Sequence, residues 1–130
     1  MKLKALAITV LTADNKHIKI RLYGIDCPGT RQPFGVLARQ TIMDAIFEED
    51  VTVQPLYQDR FGRTVAVVGI GGETLQEILV RDGMAWVYPK YCTQEEICNP
   101  LRNLEKTARV EKRGLWADKN PVPPWVLRSK

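Results

Sequence analysis

The sequence predicts an α+β domain that is mainly β: a small barrel of about five short strands with three helices packed on it. Three observations carry that expectation. Alternating runs rich in β-branched residues recur along the chain, punctuated by Gly, Pro, Asp and Asn. Other segments repeat apolar residues at helical spacing. The elements follow one another as ββαββαβα, with no internal repeat, low-complexity tract or long linker between them. At 130 residues the chain suits one domain over 1–130, ending in an extended tail from about 117 to 130.

The first two strands are expected over 5–12 and 16–25, where Ile, Val, Thr and Leu dominate. Ala13-Asp14-Asn15 separates them, and an Asp-Asn tip suits a tight antiparallel hairpin. His17 alternates with Ile18 and Ile20, which points it to solvent. Alternation then puts Arg21, Tyr23 and Ile25 on one face and Leu22 on the other. Gly24 permits a bulge or a close backbone approach, and Asp26-Cys27-Pro28-Gly29 turns the chain. A loop at 32–35 leads into a helix over roughly 36–47, with Val36, Leu37, Ile42, Ala45 and Ile46 in phase.

A strand follows over 50–57, then the loop Gln58-Asp59-Arg60-Phe61-Gly62-Arg63. The Val-rich run 64–70 reads as a strand buried on both faces. After Gly71-Gly72, Thr74 caps a helix whose apolar positions are Leu75, Ile78 and Leu79, and Gly83 ends it. Residues 84–88 form a last strand, stopped by Pro89. A final helix from about Pro100 to Arg113 aligns Leu101, Leu104 and Ala108, with Gly114 beyond its end. Trp125 is expected to pin the Pro-rich tail to the body.

The chain is 45% hydrophobic and 26% charged, and no apolar run approaches the roughly 18–20 residues of a membrane span. Two lysines followed by apolar residues give 1–11 a faint likeness to a signal peptide. It lacks a small-residue cleavage end, and Ile8-Thr9-Val10-Leu11 reads better as a strand. The compartment stays open, and a monomer is expected. A net charge of +4 favours a polyanionic partner but equally suits a merely solvated surface. Cys92 and Cys98 flank a short polar segment; they either close a small loop as a disulfide or stay reduced and half-buried. With the single His17 they form no recognised zinc-ligand spacing.

Two polar groups stand out. Arg21 and Asp26 lie at one strand end, and Asp59, Arg60 and Arg63 in the loop before the buried strand. Two guanidiniums from separate strand ends can clamp a phosphate bidentately. Asp26 can ligate a hard cation or simply hold Arg21, and a plain Arg–Asp rim pair satisfies the spacing equally well.

Four segments in this order resemble the staphylococcal nuclease (thermonuclease) family. They are Arg21-Leu22-Tyr23-Gly24-Ile25-Asp26-Cys27-Pro28, Asp59-Arg60-Phe61-Gly62-Arg63, the run 79–88 and Arg113-Gly114-Leu115-Trp116. The resemblance extends from about Ala7 to Trp125. It implies a five-stranded OB-type Greek-key barrel with three helices. It also implies calcium-dependent phosphodiesterases that cut DNA and RNA, often secreted or periplasmic. By that resemblance Arg21 and Arg63 match the two arginines that bind the phosphate and its transition-state charge. Asp26 matches the second of two calcium aspartates, and Cys27 the residue that lends the metal its carbonyl. Tyr88 and Tyr91 fall near the aromatic side of the nucleotide pocket, and Phe61, beside Arg63, near a base or sugar.

Two departures bear on function. Leu6 stands where the family's first metal-binding aspartate belongs, and Ala7 where its threonine does. Gly29 stands where the carboxylate that activates water belongs, and Asp59 is the nearest remaining acid by family geometry. Calcium takes about six to eight oxygens. A missing general base costs roughly 10²–10⁴ in rate, and a missing Lewis-acid metal several kcal/mol more. Three readings stay open: a nuclease with a degraded site, a silent module binding single-stranded nucleic acid or a phosphorylated ligand through Arg21 and Arg63, and a scaffold without a ligand.

Overall fold

A computed structural model describes residues 2–4, 7–11, 14–47 and 49–129; before Asp14, side chains are described for Ile8 and Thr9 alone. The substitution at Leu6 therefore lies outside the described residues. β1 (Lys2–Lys4), β2 (Ala7–Leu11) and β3 (His17–Leu22) form an antiparallel meander. β5 (Thr52–Gln58) and β6 (Thr64–Ile70) form a hairpin, and β6 joins β3 in parallel. The order β1-β2-β3-β6-β5, with β7 (Glu73–Thr74) on β6, is the mixed pairing of an OB-like α+β fold. Among the described residues this path is open, where the resemblance implies a closed barrel.

The second expected strand does not run through to residue 25. It leaves the sheet after Leu22 and resumes as β4 (Ile25–Asp26), which pairs with β8 (Trp86–Val87) in a separate two-stranded ribbon. Gly24 makes the turn at φ 75°, and a Cβ there would stand 2.5 Å from Cys92 Sγ, so only glycine serves. The detour carries Asp26 off the main sheet to the ribbon's end.

Three helices pack on the sheets. α1 (Gly35–Ile46) buries Ala38, Ile42 and Ile46. α2 (Leu75–Arg81) opens with a full capping box between Thr74 and Glu77. Its Gln76 is buried, accepts from Val68 N at 3.3 Å, and donates to the carbonyls of Ala66 (3.0 Å) and Tyr23 (3.4 Å). α3 (Glu95–Val110) begins five residues before the expected start, so Pro100 lies inside it. Glu95 and Glu96 favour the helix N-terminus, and Pro100 is exposed, where a missing backbone bond is solvated.

Cys92 and Cys98 are joined as a disulfide immediately before and within α3. The buried Tyr23 hydroxyl accepts from the amides of Thr93 and Gln94, both at 2.9 Å, which satisfies donors at that helix entrance. Burial opposes ionisation of this phenol, but hydrogen bonding from the Thr93 side chain, with that of the two amides, outweighs it and holds its pKa below the ordinary value. The tail departs from a wholly extended run. A 3₁₀ turn covers Gly114–Ala117, and Pro124 opens a short helix α4 (Pro124–Arg128).

Tyr23→Phe should cost about 1–2 kcal/mol, because two helix-entrance amides lose their acceptor. Urea unfolding followed by far-UV circular dichroism measures this, and an unchanged midpoint would contradict it.

Candidate nucleic-acid interface

The elements around Gly24 and Asp26 enclose a cleft of about 740 Å³. Arg21, Arg60, Arg63, Lys90 and Arg128 line it, with the aromatics Tyr57, Phe61, Tyr88 and Tyr91; among the described residues Asp59 is the one carboxylate in the lining. Arg21 comes from the end of β3, and Tyr57 from the end of β5. The 59–63 turn supplies the acidic and basic groups opposite, and the segment after β8 supplies Tyr88 to Tyr91. Excess positive charge beside exposed rings suits an anionic ligand that carries flat groups.

The 59–63 turn is built by Asp59. Its Oδ1 accepts from the amides of Phe61 (2.9 Å) and Arg63 (3.0 Å), and its Oδ2 from Arg63 Nε at 2.7 Å. Burial disfavours the charge, but these hydrogen bonds prevail and hold the carboxyl below the usual range. Asp59 is thereby engaged in positioning Arg63. Phe61 is 69% exposed, with the guanidiniums of Arg60 and Arg63 at 5.0 and 5.5 Å from its ring centre.

Asp26 is fully buried beneath the cleft. Its closest partner is not Arg21. The fork of Arg128 meets both carboxylate oxygens, Nη1 to Oδ1 at 3.1 Å and Nη2 to Oδ2 at 2.7 Å. Arg21 Nη2 stands 3.6 Å from Oδ1, while its Nη1 donates to Ile25 O at 3.2 Å. The carboxylate thus lies between two guanidiniums. Next to it, Cys27 is buried; burial first, then the neighbouring Asp26 charge, pushes its thiol up to about 12, against the pull of Arg21. That thiol is no nucleophile at neutral pH.

These residues do not fit the calcium that the resemblance implies. The one matching aspartate in the described chain has both oxygens engaged by Arg128. Among the described residues no three His, Cys, Asp or Glu side chains converge. At Gly29 the backbone amide donates to Gln32 Oε1 at 3.0 Å. A Cβ added there would meet nothing closer than Gln32 Cδ at 4.0 Å, so the backbone at this position does not itself require glycine.

Of the aromatics expected to face a nucleotide, Phe61 and Tyr91 are open, Tyr91 being 46% exposed. Tyr88 lines the cleft but has one ring face covered, because Trp125 stacks on it at 4.3 Å and 13°. Tyr57, 46% exposed, is a cleft ring that alternation alone could not place. A bulge between Pro55 and Tyr57 breaks the phase of β5 just before it. Arg128 had only an indirect sequence signal: it stands three residues after Trp125, on the helix that this ring pins.

Comparison with known proteins agrees with this geometry. Residues 19–118 match the family model described as staphylococcal nuclease homologue. A micrococcal nuclease of Shigella flexneri is 38% identical across 88% of this chain and 70% of its own length. An uncharacterized endonuclease of Haemophilus influenzae is 36% identical across 95% of this chain and 68% of its own. The staphylococcal-like nuclease CAN1 of Arabidopsis thaliana is 34% identical across 88% of this chain and 34% of its own length. With an OB-like pairing order and a matched span that takes in the cleft from Arg21 to Tyr91, the chain belongs to the staphylococcal nuclease family.

Proposed function

We propose that this member of the family is a monomeric nucleic-acid-binding domain that cleaves phosphodiesters weakly or not at all. It grips single-stranded DNA or RNA through Arg21 and Arg63. The observation that carries this reading is the state of Asp26. The matching acid for calcium is wholly buried, and both its oxygens accept hydrogen bonds from a guanidinium. The glycine at position 29 and the leucine at position 6 point the same way, since neither has a side chain that ligates metal or deprotonates water.

Binding draws on what remains. Arg21 and Arg63 approach the cleft from separate strand ends, as two guanidiniums that clamp a phosphate would. Phe61, Tyr91 and Tyr57 offer exposed rings, and base–aromatic stacking contributes about 1–3 kcal/mol per base. Fewer carboxylates in the cleft also mean less repulsion of phosphate.

Fluorescence anisotropy with a labelled oligothymidylate should show binding that weakens steadily with salt. Arg21→Ala and Arg63→Ala should each weaken it on the order of tenfold. Affinity indifferent to both substitutions and to salt would sink the binding reading. In a calcium-supplemented digest of single-stranded DNA, the parent should release little product. The double variant Leu6→Asp, Gly29→Glu should cleave at least about a hundredfold faster. A parent as fast as that variant would overturn the proposed loss of chemistry.

A further inference from the structure

We propose that Arg128 takes the place of the divalent cation, making the C-terminal helix part of a metal-independent phosphate site. This rests on the binding reading above and names a residue beyond the family-matched span, which ends at 118. α4 brings Arg128 onto Asp26, 102 positions away in sequence, in a two-pronged contact at 3.1 and 2.7 Å. The side chain stays 37% exposed and lines the cleft, so it is open to a ligand while held from behind.

A guanidinium has five N–H donors. Two are directed at Asp26, which leaves three for a ligand. The buried carboxylate fixes the plane of the fork in advance, so less side-chain entropy is lost when a phosphate docks. Charge also supports the role. In the cleft the three arginines at 21, 63 and 128 outnumber Asp26 and Asp59 by one, and Arg60 and Lys90 raise the excess to three. A divalent ion on Asp26 would draw a phosphate and would also acidify a bound water. A guanidinium there draws the phosphate only. Arg128 thus adds to binding while it adds to the loss of cleavage that positions 6 and 29 also bring.

Pairing Asp26 does not use up Arg128: the side chain keeps 37% of its surface exposed at the cleft, while Trp125 stacked on Tyr88 and the buried Pro124 also fasten α4.

The test measures anisotropy of labelled oligothymidylate, with and without a 5′-phosphate, in EDTA and in millimolar calcium. The parent should bind equally in both buffers. Arg128→Gln should weaken binding on the order of tenfold and reduce the salt slope by about one. Arg128→Lys, which keeps the charge but loses the fork, should bind with intermediate affinity and the parent's salt slope. It is also the variant to rely on if the glutamine form does not fold. A loss confined to the 5′-phosphorylated strand assigns Arg128 to a terminal phosphate, and an equal loss on both strands to backbone phosphates. Parental affinity in both Arg128 variants, with Arg21→Ala still weakened, overturns this inference and leaves the binding reading standing. Binding by the parent that rises severalfold with calcium also overturns it. Absence of any binding by the parent removes the binding reading itself.

Discussion

A carboxylate cut off from water must be paired, and Asp26, with no exposed surface, sets that requirement at the centre of the molecule. It lies at the end of the β4–β8 ribbon, opposite Trp86. Removing one partner of a fully buried pair costs about 3–5 kcal/mol. Arg128 is partly exposed and Arg21 stays at 3.6 Å, so the cost here is smaller, but the direction is the same: without the last helix the buried carboxylate loses its hydrogen-bonded partner. One wall of the cleft is therefore held by a contact between the two ends of the chain.

The contact forms because its surroundings converge. Gly24 turns the chain out of β3 and accepts from Tyr88 N at 2.8 Å, tying the end of the second ribbon strand to the turn. Tyr23 and the Cys92–Cys98 bridge hold the following segment at the entrance of α3. Trp125 then packs on Tyr88 and edge-on to Trp86 at 5.6 Å, and Trp86 meets Trp116 at 4.5 Å. Arg109 of α3 covers this cluster, 4.1 Å from the Trp116 ring centre. Aromatic contacts of this kind contribute roughly 0.5–1.5 kcal/mol each beyond burial. They carry α4 to the rim, and Arg128 follows from the helix's own geometry.

On the proposed reading, the same surroundings explain how binding and chemistry come apart. Every cationic group expected to meet a phosphate is in the cleft, whereas each acid is either absent or already employed. Asp59 shapes the turn that aims Arg63, Asp26 is covered by Arg128, and position 29 holds a glycine. Crowded carboxylates without a metal repel one another, so a site that has lost its acids is easier to keep folded. On the proposed reading, stability and reduced hydrolytic power run in the same direction.

Much of this was legible in the sequence. Hydrophobic periodicity located the hairpin, α1, α2 and the buried strand β6, because those elements are decided by residues within a few positions of one another. Motif order identified the family, and with it the arginines at 21 and 63 and the glycine at 29. The start of α3 was not legible, since Pro100 imitates a helix start and only the disulfide and the Tyr23 hydroxyl reveal the true one. Neither was Tyr57, whose direction depends on a bulge, nor the covered face of Tyr88. Above all, nothing local marks Asp26 as the partner of Arg128. Spacing suggested Arg21, five residues away, but strand geometry leaves that guanidinium at 3.6 Å while the tail brings another into full contact. The sequence by itself determined which elements form and which charges are available. Which charge meets which was decided by tertiary structure, because that depends on two ends of the chain arriving at one place.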